Sequence, residues 1–224
     1  MDGQKEKTKE KEKVKSEFDG VIFDLDGTLW NTVPLCTVAW NEVIAQLAIQ
    51  RSPLTKEDMA SIMGMTAEQL KEALFPGIDK EQVDLLVEKA FARETELLRK
   101  DGAQLYEGVG EGLSQLARSY ELFLVSNCQL PYLEAFFEWS GFSHLFSDYE
   151  CIGRTGKPKG HNISAVVERN GLKEPVYIGD TRGDEKAAAE ASVPFIYASY
   201  GFGEAKNPHR KIASFLELVE YLTP

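Results

Sequence analysis

The chain has 224 residues, 43% of them hydrophobic, and a formal net charge of −11. That apolar share builds a folded interior and excludes a disordered protein, and the length suits one large domain or a core with a sizeable insertion. The overall charge repels polyanions, no local basic patch offsets it, and nucleic acid is not an expected partner.

Residues 1–16 hold almost no apolar side chain and alternate in charge sign, so they cannot bury enough surface to repay ordering and are expected to form a disordered charged tail. The tail lacks the apolar core of a signal peptide, and no stretch offers the ~20 apolar residues that cross a bilayer. A soluble cytoplasmic protein with no membrane partner is expected. Cys36, Cys128 and Cys151 have no metal-like spacing, and an odd count fits a reducing compartment better than a disulfide framework.

Val21, Ile22 and Phe23 read as a strand buried on both faces, the kind found in parallel sheets, and they deliver Asp24 and Asp26 into a turn at Gly27. Ligands in open α/β sheets sit just beyond the carboxyl ends of such strands, which makes both acids candidates for chemistry. Residues 31–103 are helical in pattern. Val38, Val43, Ile44 and Leu47 suggest the apolar stripe of a first helix. Thr55 before Asp58, Thr66 before Gln69 and Asp79 before Gln82 each pair an N-cap candidate with a residue three positions on that can bond back. Phe75, Pro76 and Gly77 break the chain before the longest helix, in which Val83, Leu86, Leu97 and Leu98 are apolar. An inserted up-and-down helical bundle is predicted.

Within that bundle, the loop Met63 to Thr66 is a candidate to face a site, because Gly64 permits a turn and methionines adapt to small molecules, although core packing is their commoner role. Trp30 and Asn31 are candidates to border a pocket. Lys56, Lys71 or Lys80 are candidates for a substrate anion, although a solvated helix face explains each more simply.

Beyond the insertion the pattern alternates: helix 109–118, strand 121–125, helix 131–139, helix 162–170, strand 176–178, helix 183–191 and strand 194–198. Such alternation predicts an α/β fold with a doubly wound, Rossmann-like parallel sheet. One strand stops at Ser126 and Asn127, another leads to Asp180, and Asp184 follows one helical turn later. In a parallel sheet these ends share one edge with Asp24 and Asp26. Cys128 follows the Ser-Asn pair, and a structural thiol is its expected role, since no histidine lies near it in sequence to act as a base.

At this point the sequence resembles the haloacid dehalogenase superfamily, in particular its phosphoglycolate phosphatase-like members with a helical cap. The run Phe23 to Leu29 is similar to the family's first motif, Ser126-Asn127 to its second, Gly156 to Lys159 to its third and Gly179 to Asp184 to its fourth, in the family's order. The resemblance implies Asp24 as nucleophile and Asp26 as general acid and base. It implies Mg²⁺ held by Asp24, Asp180 and the backbone carbonyl of Asp26, with Asp184 in support. Thr28, Ser126 and Asn127 would donate hydrogen bonds to the phosphoryl group, and Lys157 or Lys159 would add a positive charge. Lys157 is preferred because Gly-Lys-Pro is a common form of the third motif, whereas Lys159 occupies a spacing used by other members.

The implied organisation is a core of residues 17–30 plus 104–224 with residues 31–103 as a cap that closes over the site. The implied function is Mg²⁺-dependent hydrolysis of a small phosphorylated metabolite through an aspartyl-phosphate. An acid at position 26 disfavours carbon–halogen cleavage. A phosphomutase of the same superfamily is an alternative, disfavoured because residues 33–40 contain no histidine. A catalytically inactive phosphate-binding regulatory module is another, disfavoured by the acids at 24, 26, 180 and 184.

Overall fold

The computed structural model describes residues 17–223, so the tail expected over residues 1–16 lies outside the described residues. Strand β1 (Gly20–Phe23) leads through a tight turn to β2 (Trp30–Asn31). Helices α1 (Val33–Gln46), α2 (Lys56–Ile62), α3 (Ala67–Leu74) and α4 (Lys80–Asp101) follow, and β3 (Gln104–Leu105) returns to pair antiparallel with β2. The chain then alternates through α5 (Val109–Leu116), β4 (Glu121–Ser126), α6 (Leu130–Ser140), β5 (Phe146–Cys151), α7 (Ile152–Thr155) and α8 (Lys159–Asn170). It closes with β6 (Pro175–Gly179), α9 (Arg182–Glu190), β7 (Phe195–Ala198), β8 (Arg210–Ile212) and α10 (Phe215–Leu222).

Every residue of β1 is buried, so the strand has no solvent face and belongs in the middle of the sheet. There it pairs in parallel with β4 on one side and β6 on the other, Phe23 lying opposite Leu124 and Ile178. The full order is β5-β4-β1-β6-β7-β8, with every neighbouring pair parallel. Successive side chains of β1 enter opposite layers: Val21 and Phe23 pack with Leu124 and Phe215, and Ile22 with Phe123, Tyr177 and Ala188. This is the doubly wound sheet of a Rossmann-like core, with α1 to α4 as its helical cap. The chain leaves β1, β4 and β6 along one edge, beneath those helices.

All three helix starts read from the cap sequence are present. Thr55 and Asp58, and Thr66 and Gln69, exchange side-chain to backbone hydrogen bonds as reciprocal boxes, and Asp79 accepts from the N–H of Gln82. The stripe read for α1 needs correction. Val43 and Ile44 are buried, but Val38 is 51% exposed, and the packed face runs through Val33, Cys36, Ala39 and Trp40. No helix among the described residues is long and apolar enough to cross a membrane.

Candidate active site

Asp24 is the first residue past β1, and the turn behind it brings the chain against the end of β6. Gly27 has φ +81°, and a Cβ there would lie 2.1 Å from Oδ2 of Asp180. Gly201 closes the other side, where a Cβ would fall 2.3 Å from the Asp180 Cβ. Side chains at these positions would displace the acid, so the glycines set how near it stands to Asp24.

Asp24, Asp180 and Asp184 are buried, and each offers a carboxylate oxygen within 4.8 Å of the others'. Three acids this close repel one another, and each is held by donors. Asp184 sits in the first turn of α9, where its Oδ2 accepts from the N–H of Thr181 at 3.0 Å and of Asp180 at 3.2 Å and from the Thr181 hydroxyl at 2.6 Å. Oδ2 of Asp180 accepts from the N–H of Phe202 at 2.7 Å, while its Oδ1 is buried with no hydrogen-bond partner. An orphaned carboxylate oxygen in a cluster made only of oxygen donors fits a hard divalent cation.

Lys159, the first residue of α8, is buried and donates to Oδ1 of Asp24 at 2.8 Å and to Oδ1 of Asp184 at 2.6 Å. The preference for Lys157 is therefore corrected. Lys157 is exposed, its N–H donating to the Thr155 hydroxyl and its carbonyl accepting from the Asn162 amide of α8, whereas Lys159 turns inward. Burial works to lower the pKa of Lys159, but the charges of Asp184 and Asp24 outweigh it and hold the ammonium protonated. Burial, then the charge of Asp184, pushes Asp24 up to about 7 against the pull of Lys159. Asp180 is raised as well, by burial and by its neighbours Asp184 and Asp24. A cation here would reverse that cost.

Asp26 is half-buried at the mouth of this cluster. Its Oδ1 accepts from the Tyr132 hydroxyl at 2.6 Å and the Thr32 hydroxyl at 2.7 Å, and those two hydroxyls are 3.0 Å apart. Burial raises its pKa, and the hydrogen bonds of Tyr132 and Thr32 work against that rise. Thr28 is fully buried, and its hydroxyl has no hydrogen-bond partner. Ser126 is buried at the end of β4. Asn127 reaches into the cap: its Nδ2 donates to the Gly64 carbonyl at 2.8 Å, and its Oδ1 is buried without a hydrogen-bond partner.

A cavity of about 90 Å³ lies between the acids and the cap. Asp24, Asp26, Ser126 and Asn127 line its core end, and Met63, Gly64 and Met65 bring the cap loop to it. Trp30 is fully buried against Tyr132 and Phe136 and does not line this cavity, and Asn31 accepts from the N–H of Val33 at the start of α1. Lys56 is exposed, Lys71 pairs with Glu68 and Asp84, and Lys80 pairs with Asp84; none of them reaches the cavity. Cys128 borders it, but burial and the neighbouring Cys151 raise its pKa, which keeps the thiol protonated.

Sequence reasoning passed over Thr32, Tyr132 and Glu94. No pattern separates Tyr132 from a core tyrosine of α6, or Thr32 from a helix-start residue. Glu94 did leave a signal. It falls on the buried face of α4 with Val83, Leu86, Val87, Ala90 and Leu98, where an acid needs a reason.

The description "haloacid dehalogenase-like hydrolase" belongs to the family model that matches residues 21–198, and the chain is a member of that family of enzymes. It is 30% identical to a phosphoglycolate phosphatase of Caulobacter vibrioides, over 82% of this chain and 80% of that one. It is likewise 30% identical to a phosphoglycolate phosphatase of Yersinia pestis, over 89% of this chain and 91% of the relative. Among solved structures, a haloacid dehalogenase-like hydrolase from Streptococcus pneumoniae superposes with a TM-score of 0.81 at 21% identity, covering 92% of this chain and 98% of that one. CbbY from Rhodobacter sphaeroides, solved in complex with phosphate, gives 0.76 at 19% identity over 90% of this chain and 96% of its own.

Proposed function

We propose that the chain is a Mg²⁺-dependent phosphatase that hydrolyses a small cytoplasmic phosphate monoester through a phosphorylated Asp24. The observation that carries this reading is one buried cluster in which Asp24 meets Asp180, Asp184 and Lys159 beside a separately held Asp26. Asp24, Asp180 and the Asp26 carbonyl, with Asp184 in support, would hold Mg²⁺, which supplies the positive charge that lets a carboxylate approach a phosphate dianion.

Phosphate ester hydrolysis is among the slowest of uncatalysed reactions, with enzymatic accelerations reaching about 10²¹-fold, so several groups must act together. An Asp24 oxygen attacks phosphorus, the bond to the ester oxygen breaks, and the departing alkoxide takes its proton from Asp26. Asp26, now ionised, takes a proton from a water whose oxygen attacks phosphorus and breaks the bond to Asp24, releasing inorganic phosphate. Tyr132 and Thr32 fix the direction of the Asp26 carboxyl for both transfers. Thr28, Ser126 and Asn127 donate to the phosphoryl oxygens, and the Lys159 ammonium offsets their growing charge. Residues 31–103 act as the cap, with the β2–β3 joint as its hinge. The phosphoglycolate phosphatases among the relatives support a small metabolite over a polymer as substrate.

The test is phosphate release from a panel of small phosphate esters by the wild type and Asp24→Asn, in Mg²⁺ and after chelation. Release should require the metal and disappear in the variant. Equal release by Asp24→Asn, or release indifferent to chelation, would overturn the assignment.

A further inference from the structure

The cap end of the cavity has a chemistry of its own. Trp40, Met59, Ile62, Leu70 and Phe91 make an apolar wall, and Glu94 is the carboxyl group set into it. Glu94 is 6% exposed, and its Oε1 accepts from the indole N–H of Trp40 at 2.5 Å. The Cys36 thiol lies beside this carboxyl and favours its ionised form. No lysine, arginine or histidine is among the described residues that line the cavity.

We propose that Glu94 makes the cap end of the site a receptor for a hydrogen-bond donor, so that the preferred substrates are short phosphate esters whose alcohol carries a hydroxyl or amino group rather than a carboxylate. The inference rests on the phosphatase reading and specifies its leaving group. A phosphoryl group seated at Asp24 directs the rest of the ester toward this wall. A carboxylate there would lose its water, find no cation and face another acid, each of which opposes binding. A hydroxyl or ammonium group instead supplies the donor that a buried carboxylate requires. The cavity of about 90 Å³ is small beside the roughly 300–1,000 Å³ of common ligand pockets, which favours a short ester.

The test separates binding from turnover. Four esters that share a two-carbon body, namely 2-hydroxyethyl phosphate, phosphoethanolamine, ethyl phosphate and phosphoglycolate, are titrated calorimetrically in Mg²⁺ at about pH 8, above the raised pKa of Glu94 and therefore with its carboxyl ionised, into Asp24→Asn. The same titrations follow with Glu94→Ala or Glu94→Gln added. The hydroxyl and amino esters should bind roughly tenfold tighter than ethyl phosphate, with phosphoglycolate weakest. Glu94→Ala should erase that margin, whereas Glu94→Gln, which keeps an acceptor without the charge, should retain it for the hydroxyl ester and lose it for the amine.

A role confined to holding Trp40 would weaken all four esters alike and leave their order unchanged, which overturns the inference. So would tightest binding of phosphoglycolate, no binding of any ester, or a margin that survives both Glu94 variants. Should Glu94→Ala not fold, the amine margin in Glu94→Gln decides. Hydrolysis of the same esters by the wild type reads the parent assignment: ranked binding without turnover sinks the phosphatase and keeps the receptor, and turnover without ranking does the reverse.

Discussion

At the scale of single residues the site turns on how buried charge is compensated. Lys159 stands between two buried carboxylates, whereas Lys157, two residues earlier, faces solvent. Lys159→Met should lower kcat by about 10²- to 10³-fold, the loss expected for a preorganised charge aimed at a transition state, and Lys157→Ala should leave it within about twofold. Removing the ammonium also strands Asp24 and Asp184, a cost of about 3–5 kcal/mol for a broken buried pair. The melting temperature of Lys159→Met should therefore fall in chelator and recover in part when Mg²⁺ is added; a fall that the metal does not reverse would place the lysine outside the cation's field. Asp26 offers a second test. Tyr132→Phe removes one of its two hydroxyl partners while keeping the ring. The expected result is about a tenfold loss in kcat with KM little changed, because orientation of a general acid matters in the transition state more than in binding. A raised KM at constant kcat would make Tyr132 a wall of the pocket instead.

Elements show which features local chemistry writes into a sequence. Helix α3 begins at Thr66, whose hydroxyl accepts from the Gln69 N–H while the Gln69 side chain returns to the Thr66 N–H. Thr66→Ala should cost about 1 kcal/mol of stability in urea titration, with Thr66→Ser nearly silent, because the cap is one hydroxyl in one geometry. Such caps were legible, as were β1, β4 and β6, since an all-apolar run ending in Asp or Ser-Asn has few other readings. Strand β5 was not. Its sequence, Phe146 to Cys151, mixes Ser147, Asp148 and Glu150 into an edge strand, where Asp148 and Glu150 are satisfied by Arg169 from α8, a pairing that no local pattern announces. The same limit explains the lysine. Spacing offered both residues of Lys157-Pro158-Lys159, and only the tertiary position of α8 decided which one met Asp24. Tyr132 and Thr32 reach Asp26 from different elements, so their role exists only once the core is assembled.

For the whole molecule, the acids that serve the site are stored at a cost to stability, and Glu94 allows that cost to be measured apart from the metal cluster. Its carboxyl is raised from 4.5 to about 7, chiefly by burial, with the Trp40 hydrogen bond and the neighbouring Cys36 thiol opposing the rise and the charge of Asp26 adding to it. A folded-state pKa above the unfolded one means that the native state holds the proton more tightly. Between those two values the unfolded chain binds fewer protons than the native one, and stability falls as pH rises. The contribution is complete below pH 4.5 and lost by the time pH passes about 7. A shift of that size corresponds to about 3 kcal/mol at the conversion of ~1.4 kcal/mol per pH unit. Asp24 and Asp180 are raised too and slope the same way, so the wild-type curve alone cannot isolate Glu94. The difference from Glu94→Gln can, because that variant keeps the other acids and removes one titration. Urea unfolding of both proteins should show Glu94→Gln gaining about 3 kcal/mol on the wild type between pH 4.5 and 8, with no further gain above that range. A difference that stays flat across this interval would mean that Glu94 is already ionised in the folded protein at low pH, with its charge satisfied by the Trp40 indole.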